Sequence, residues 1–114
     1  MSLVAEDANG KALGAPVALA FGTNDYIEVP NTGVSTPSSV FATGVTLIRV
    51  AIELDGKHVH FKIGDATSTC NALTDPFIPV GTVEFFAVPE GGRISFAHLH
   101  TSSIKVCVTQ ILPG

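Results

Sequence analysis

Apolar and polar residues alternate in short runs along most of this chain, and Gly, Pro, Asn or Asp separates one run from the next. In the clearest run, residues 45–54, every second residue from Ile48 onward is apolar, which is typical of a strand that buries one face. Short runs rich in β-branched and aromatic residues predict strands. Eight are predicted: 17–21, 26–29, 45–54, 58–63, 77–80, 83–88, 93–100 and 104–112.

The breaks between these runs predict specific turns. Gly22 is expected to end the first strand, and residues 30–39 have the composition of a loop. Asp55-Gly56 predicts a hairpin that pairs strand 45–54 with strand 58–63, because both residues tolerate positive φ. Pro79 places its segment at a sheet edge or in a connection.

Helical periodicity is weak in every window, so the sequence predicts an all-β fold. The expected architecture is an antiparallel, jelly-roll-like β-sandwich of about seven to eight strands. Residues 1–15 are turn-rich and predict an extended N-terminal arm or one poorly paired strand, and residues 16–114 predict a single sandwich domain.

The charge content is unusually low. Charged residues make up 14% of the 114, and the net charge is −4. A soluble domain usually carries about a quarter of charged residues, so the shortfall indicates a surface covered by partner subunits. Nucleic acid is not an expected partner, since the six basic residues are scattered singly.

Neither a membrane span nor a signal peptide is expected. No apolar run approaches about 18 residues, and residues 1–7 lack a basic and apolar leader. Synthesis in a cytoplasm is therefore predicted. Cys70 and Cys107 fit that compartment as free buried thiols, because their spacing matches no redox or metal motif.

The four histidines form two His-x-His pairs, His58/His60 and His98/His100. Residues two apart on a strand share a face, roughly 7 Å apart. If the two strands were neighbours, four imidazoles could face a zinc-type ion. The alternative is a solvated or interfacial face, which would be pH-sensitive near an oligomer axis. The sequence does not place the strands together, so no metal site is assigned.

Catalysis has little support in the sequence. The carboxylates are dispersed, and no nucleophile elbow or phosphate loop is present, so no catalytic or cofactor-binding residues are assigned. A cupin-like metal protein stays as an alternative, because His58-Val59-His60 precedes Asp65, and Pro79-Val80-Gly81 precedes His98 and His100. Both spacings depart from the cupin pattern.

Residues 45–114 resemble a widespread family of small structural proteins of tailed bacteriophages, often capsid decoration or cement proteins. The resemblance follows the order of strands and turns, including an aromatic residue, a basic residue and a glycine at the end of the second strand and a closing Pro-Gly. The matching segments are 47–54, Phe61-Lys62-Ile63-Gly64, 66–71, 79–86, 89–92 and 104–112 with Pro113-Gly114. Residues 1–44 match nothing in that pattern, and the histidine pairs and cysteines depart from it.

The resemblance implies a non-enzymatic virion protein on the capsid surface. Such a protein would bind the major capsid protein and associate with itself, as a homotrimer at a local three-fold position. It would stabilise the assembled lattice by mass action. Residues 1 to about 30 are expected to make the main lattice or intersubunit contacts. A head–tail connector, tail or baseplate component is the alternative within the same fold.

Overall fold

The computed structural model describes residues 4–6, 12–16, 20–53, 57–79 and 81–112. These residues form strands, turns and loops, without a helix among them. The strands are β1 (Val4–Glu6), β2 (Ala12–Pro16), β3 (Phe21–Val29), β4 (Thr36–Pro37), β5 (Leu47–Ile52), β6 (Val59–Gly64), β7 (Phe77–Ile78), β8 (Val83–Ala87), β9 (Arg93–Ala97) and β10 (Ile104–Ile111).

Eight strands form two four-stranded antiparallel sheets. The first sheet has the order β3-β10-β5-β8 and the second the order β4-β9-β6-β7. From β3 onward, numbering the strands one to eight gives sheets 1-8-3-6 and 2-7-4-5, which is the double Greek key of a jelly roll. The predicted all-β, jelly-roll-like sandwich is confirmed.

The core lies between the sheets and is built from alternate residues of each strand. On β5, Ile48, Val50 and Ile52 are buried, as their spacing predicts. Phe96 on β9 is the largest fully buried side chain and belongs to the same apolar cluster. The inner face of each sheet is therefore buried in the core, so a binding surface on the sheets has to lie on their outer faces.

The predicted hairpin between strands 45–54 and 58–63 is wrong. β5 pairs with β10 and β8, whereas β6 pairs with β9 and β7 in the other sheet. Each strand has one strongly apolar face, and packing the sheets face to face buries both faces at once, which a local hairpin would not do. Asp55 and Gly56 themselves lie outside the described residues.

Two predicted boundaries also differ. β3 is one strand that continues through Gly22, because its polar residues have partners: Thr109 Oγ1 donates to Asn24 Oδ1 at 2.6 Å, and the Ser39 amide donates to Asp25 Oδ2 at 2.6 Å. Residues 17–19 lie outside the described residues. The predicted loop 30–39 contains the short β4, whose Pro37 is tolerated at a sheet edge.

β1 and β2 pair with each other and form a separate two-stranded sheet. The sequence predicts an arm or a single poorly paired strand in residues 1–15, so the pairing of two strands is new. The described strands of the two large sheets begin only at Phe21.

The loop between β6 and β7 covers the outer side of β9 in the second sheet. Three donor groups converge on the Ser68 carbonyl: Arg93 Nε at 3.0 Å, Arg93 Nη2 at 2.8 Å and Ser95 Oγ at 2.9 Å. Cys70 and Ala72 pack there in a small apolar cluster with Ala97. As a result, Ser95 and Ala97 are fully buried although they point away from the core.

Both cysteines are free thiols. Cys70 belongs to this loop and is buried against the sheet, and its burial raises the pKa of the thiol to about 12. Cys107 differs from the expectation of a buried thiol, because it is partly exposed on the outer face of the first sheet. The two side chains therefore have very different access to solvent.

Candidate functional site

The two His-x-His pairs meet in space because β6 and β9 are neighbouring strands. His60 lies opposite Ala97 in the register, so His98 and His100 follow at the same end of the second sheet. We call His58, His60, His98 and His100 the histidine cluster. The sequence supplied both pairs, but only the sheet topology brings them together.

His98 is fully buried and connects the two sheets. Its Nε2 lies 2.8 Å from the Val29 carbonyl oxygen, and its Nδ1 accepts the His100 amide at 3.1 Å. A carbonyl can only accept, so Nε2 carries the proton and the ring is neutral in this arrangement. Val29 ends β3 in the first sheet, so this imidazole joins the sheets and has no nitrogen left for a ligand.

His60 and His100 each use one ring nitrogen in a hydrogen bond to a backbone carbonyl group. His60 Nδ1 donates to the Asp75 carbonyl at 2.6 Å, and His100 Nε2 donates to the His58 carbonyl at 3.1 Å. These bonds orient both rings. They also tie the end of β6 to the loop before β7 and to the segment after β9.

His58 lies at the centre of the ring contacts. Its ring centroid is 4.6 Å from His100, 5.5 Å from His60 and 4.8 Å from Phe77. His98 and His100 are stacked at 5.6 Å. Partial burial lowers the pKa of His58, and the charges that His100, His60 and His98 would carry lower it further. The surroundings of His58 therefore favour its neutral imidazole.

This geometry predicts a loss of stability in mild acid. Above the ordinary histidine pKa of 6.5, His58 is neutral in both the folded and the unfolded chain. As the pH falls through 6.5, the unfolded chain binds a proton that the folded chain still resists, so the free energy of unfolding decreases. Urea unfolding between pH 8 and pH 5 should show this decrease, and it should be smaller in His58→Gln.

The control for this effect is Lys62→Gln, which removes an exposed basic residue outside the cluster on β6, the strand that follows His58. The acid-dependent decrease should persist in Lys62→Gln. An equal decrease in the wild type and in His58→Gln would contradict the assignment to His58.

The cluster does not form a metal centre in the described part of the chain, where no group of three or more His, Cys, Asp or Glu side chains is arranged to hold an ion. Asp65, the carboxylate of the cupin comparison, instead accepts hydrogen bonds from Thr67 and Ser68 in its own loop. The bonds from Thr67 lower the pKa of this carboxyl group. The jelly roll is shared with cupins, but the side chains give that alternative no support.

A second candidate site is the outer face of the first sheet, which we call the open face. One row of residues crosses all four strands: Tyr26, Cys107, Ala51 and Val83 are successive Cα partners. Tyr26 is 79% exposed and Val83 49%. The neighbouring row ends in Phe85, which is also exposed. The open face thus carries a row of apolar side chains beside polar and charged ones.

The open face contains a groove of about 520 Å³. Tyr26 and the small residues Ala51 and Cys107 contribute to its lining, together with the core residues Ile27, Ile52 and Val106. Glu28, Glu53 and Lys105 also border it, as a charged margin around an apolar surface.

Sequence reasoning did not identify the open face as a site, although part of the signal was present. Alternation along residues 45–54 places Leu47 and Ala51 on the side of β5 that faces away from the core. Tyr26 and Cys107 join them only through the pairing of β3 and β5 with β10, which the local pattern does not specify.

No protein-family model, curated protein or solved structure matches the chain. Within the described residues, no helix is long and apolar enough to cross a membrane.

Proposed function

We propose that this protein is a non-enzymatic virion structural protein, a capsid decoration protein that binds the major capsid lattice as an oligomer. The observation that carries the proposal is the contrast between the two outer faces of the sandwich. The outer side of β9 in the second sheet is covered by the chain's own loop, whereas the first sheet presents a row of apolar side chains that crosses all four of its strands.

An uncovered apolar face favours a role in adhesion. Contiguous exposed apolar patches on soluble proteins commonly mark interaction sites. The low charged fraction, 14% of residues, agrees with a chain whose surface is partly covered by other subunits. A binding protein of this kind needs shape and surface complementarity, and no proton transfer or cofactor.

The resemblance of residues 45–114 to tailed-phage structural proteins directs the proposal to the virion. Jelly rolls occur in viral capsid proteins, but they also occur in lectin domains and cupins, so the fold alone does not select this role. A ligand that binds only the assembled lattice stabilises that lattice by mass action, which is the physical task of a decoration protein.

Copy number on the particle tests this proposal and separates it from its alternative. A decoration protein covers the lattice and is present in hundreds of copies, whereas a connector, tail or baseplate component is present in few. Gold-labelled antibody imaging of purified particles, combined with quantitative gel densitometry, measures both position and number. Absence of the chain from particles would overturn both assignments.

We further expect deletion of residues 1–15 to abolish capsid binding without unfolding the sandwich. β1 and most of β2 are removed, while β3 to β10, which form the two large sheets, remain. Several weak contacts spread over an arm act together, so their joint loss has a large effect on occupancy. The measurement is co-sedimentation with particles stripped of this protein.

Two controls accompany the deletion. Removal of Ser2 and Leu3 alone, before β1, should preserve occupancy. Circular dichroism and urea unfolding should show that the deleted chain still folds cooperatively. Full occupancy by the folded deletion variant would refute the role of the arm.

A further inference from the structure

We propose that a second copy of this chain covers the open face, with Tyr26 of one copy inserted into the groove beside Ala51 and Cys107 of the other. The inference names the surface through which the proposed oligomer forms. It rests on the proposed function only for the expectation of an oligomer, and it requires no capsid.

The outward residues of the two sheets differ in how far they are buried within the chain. On the second sheet, the outward residues Ser95 and Ala97 are fully buried by the loop between β6 and β7. On the first sheet, the outward residues Tyr26, Val83 and Phe85 remain 79%, 49% and 42% exposed. The outer side of β9 is covered within the chain, and Phe77 on β7 is 55% exposed, so the row across all four strands of the first sheet is the larger uncovered surface left for a partner.

The shape of the open face also suits a second copy of the chain. The open face carries a ridge and a groove side by side: an exposed Tyr26 ring and small side chains at Ala51 and Cys107. A surface with both features complements a copy of itself. In a two-fold pair, Tyr26 of each copy enters the groove of the other copy. In a closed ring, Tyr26 of each copy enters the groove of the next copy.

The charges on the open face are balanced between acidic and basic residues. Four charged residues point outward on this sheet in the described part of the chain, and two are acidic while two are basic: Glu28, Glu53, Arg49 and Lys105. Their sum is zero, although the whole chain carries −4. A strongly acidic or basic partner would find no complementary field here. A second copy carries the same two acidic and two basic residues, so acidic residues of one copy can lie opposite basic residues of the other.

Cys107 allows this interface to be tested directly. Its thiol lies in the central row of the open face, between the backbone partners Tyr26 and Ala51. Cys70 serves as the internal reference, because it is buried and its pKa is raised to about 12, so it reacts only when the chain unfolds.

The experiment combines light-scattering mass with the rate at which Cys107 reacts with a disulfide dye. The wild type should be a dimer or a closed higher oligomer, with Cys107 modified roughly tenfold more slowly than in a dissociated chain. Ala51→Arg should yield a folded monomer. Val83→Arg, two strands away from Cys107, should do the same while leaving access to the thiol unobstructed.

Leu73→Arg is the matched control, since Leu73 is 79% exposed and lies on the loop of the opposite face. It should leave both mass and thiol rate unchanged. A monomeric wild type, or an oligomer that survives Val83→Arg with a protected Cys107, overturns the inference. So does dissociation by Leu73→Arg alone.

The outcomes separate this inference from the proposed function. A chain that self-associates through the open face but never occurs on particles would refute the decoration role and support this interface. A chain found in hundreds of copies on particles, yet monomeric in solution with a freely reactive Cys107, would do the reverse.

Discussion

Phe96→Ala is expected to lower the free energy of unfolding by about 3–5 kcal/mol. Phe96 is fully buried on β9, with Phe61 of β6 and Thr36 of β4 as its partners in the second sheet. Truncation removes apolar burial and leaves a cavity that the surrounding strands fill only in part. The loss is a large share of the roughly 5–15 kcal/mol that stabilises a typical domain.

Urea unfolding of Phe96→Ala measures this loss, with Phe21→Ala as the control. Phe21 is 56% exposed at the start of β3, so the same chemical truncation there should cost far less. If Phe96→Ala fails to fold, Phe96→Leu removes fewer atoms and should show a smaller loss in the same direction. Equal stability of Phe96→Ala and Phe21→Ala would show that Phe96 does not anchor the core.

Gly92→Ala is expected to cost about 3 kcal/mol, because the turn into β9 has no space for a side chain. A Cβ at Gly92 would overlap the Gly64 carbonyl oxygen and lie 2.8 Å from Pro89 Cγ. The Gly92 amide donates to the Pro89 carbonyl at 3.1 Å, and its own carbonyl accepts the Phe41 amide at 2.8 Å. Relief of the overlap would therefore disturb backbone on several sides.

Gly91→Ala in the same turn is the matched control. Gly91 has φ of +73°, which disfavours a side chain, but a Cβ there meets no atom within 4 Å. Left-handed strain alone costs about 1 kcal/mol. Thermal unfolding should therefore rank the variants as wild type, Gly91→Ala and Gly92→Ala, from most to least stable. The reverse order of the two variants would contradict the packing argument.

The histidine cluster shows which part of a site can be predicted from local sequence. The spacing of His58 and His60 indicates a shared face, and His60 does lie in the outward row of β6 opposite Ala97. His98 follows the parity of Ile94 and Phe96 toward the core, where it bonds to the Val29 carbonyl. The residue types alone suggested metal ligation, whereas the hydrogen bonds define a link between the sheets.

The prediction of strands was more successful than the prediction of their partners. Alternation located β5, β6, β8, β9 and β10 within a few residues, since it reports which side of a strand is buried. The short β4 was missed because two residues carry no periodic pattern. Asp55-Gly56 suggested a local pairing that the sandwich replaces with pairings across the sequence.

By itself, the sequence determined that the chain is all-β, where its main strands run and which of their side chains turn inward. These properties depend on periodicity, which is local. The tertiary structure alone decided that Tyr26, Cys107, Ala51 and Val83 form one row, and that the loop between β6 and β7 covers the outer side of β9. The physical reason is that strand pairing is set by burying two apolar faces together, a condition that involves the whole chain at once.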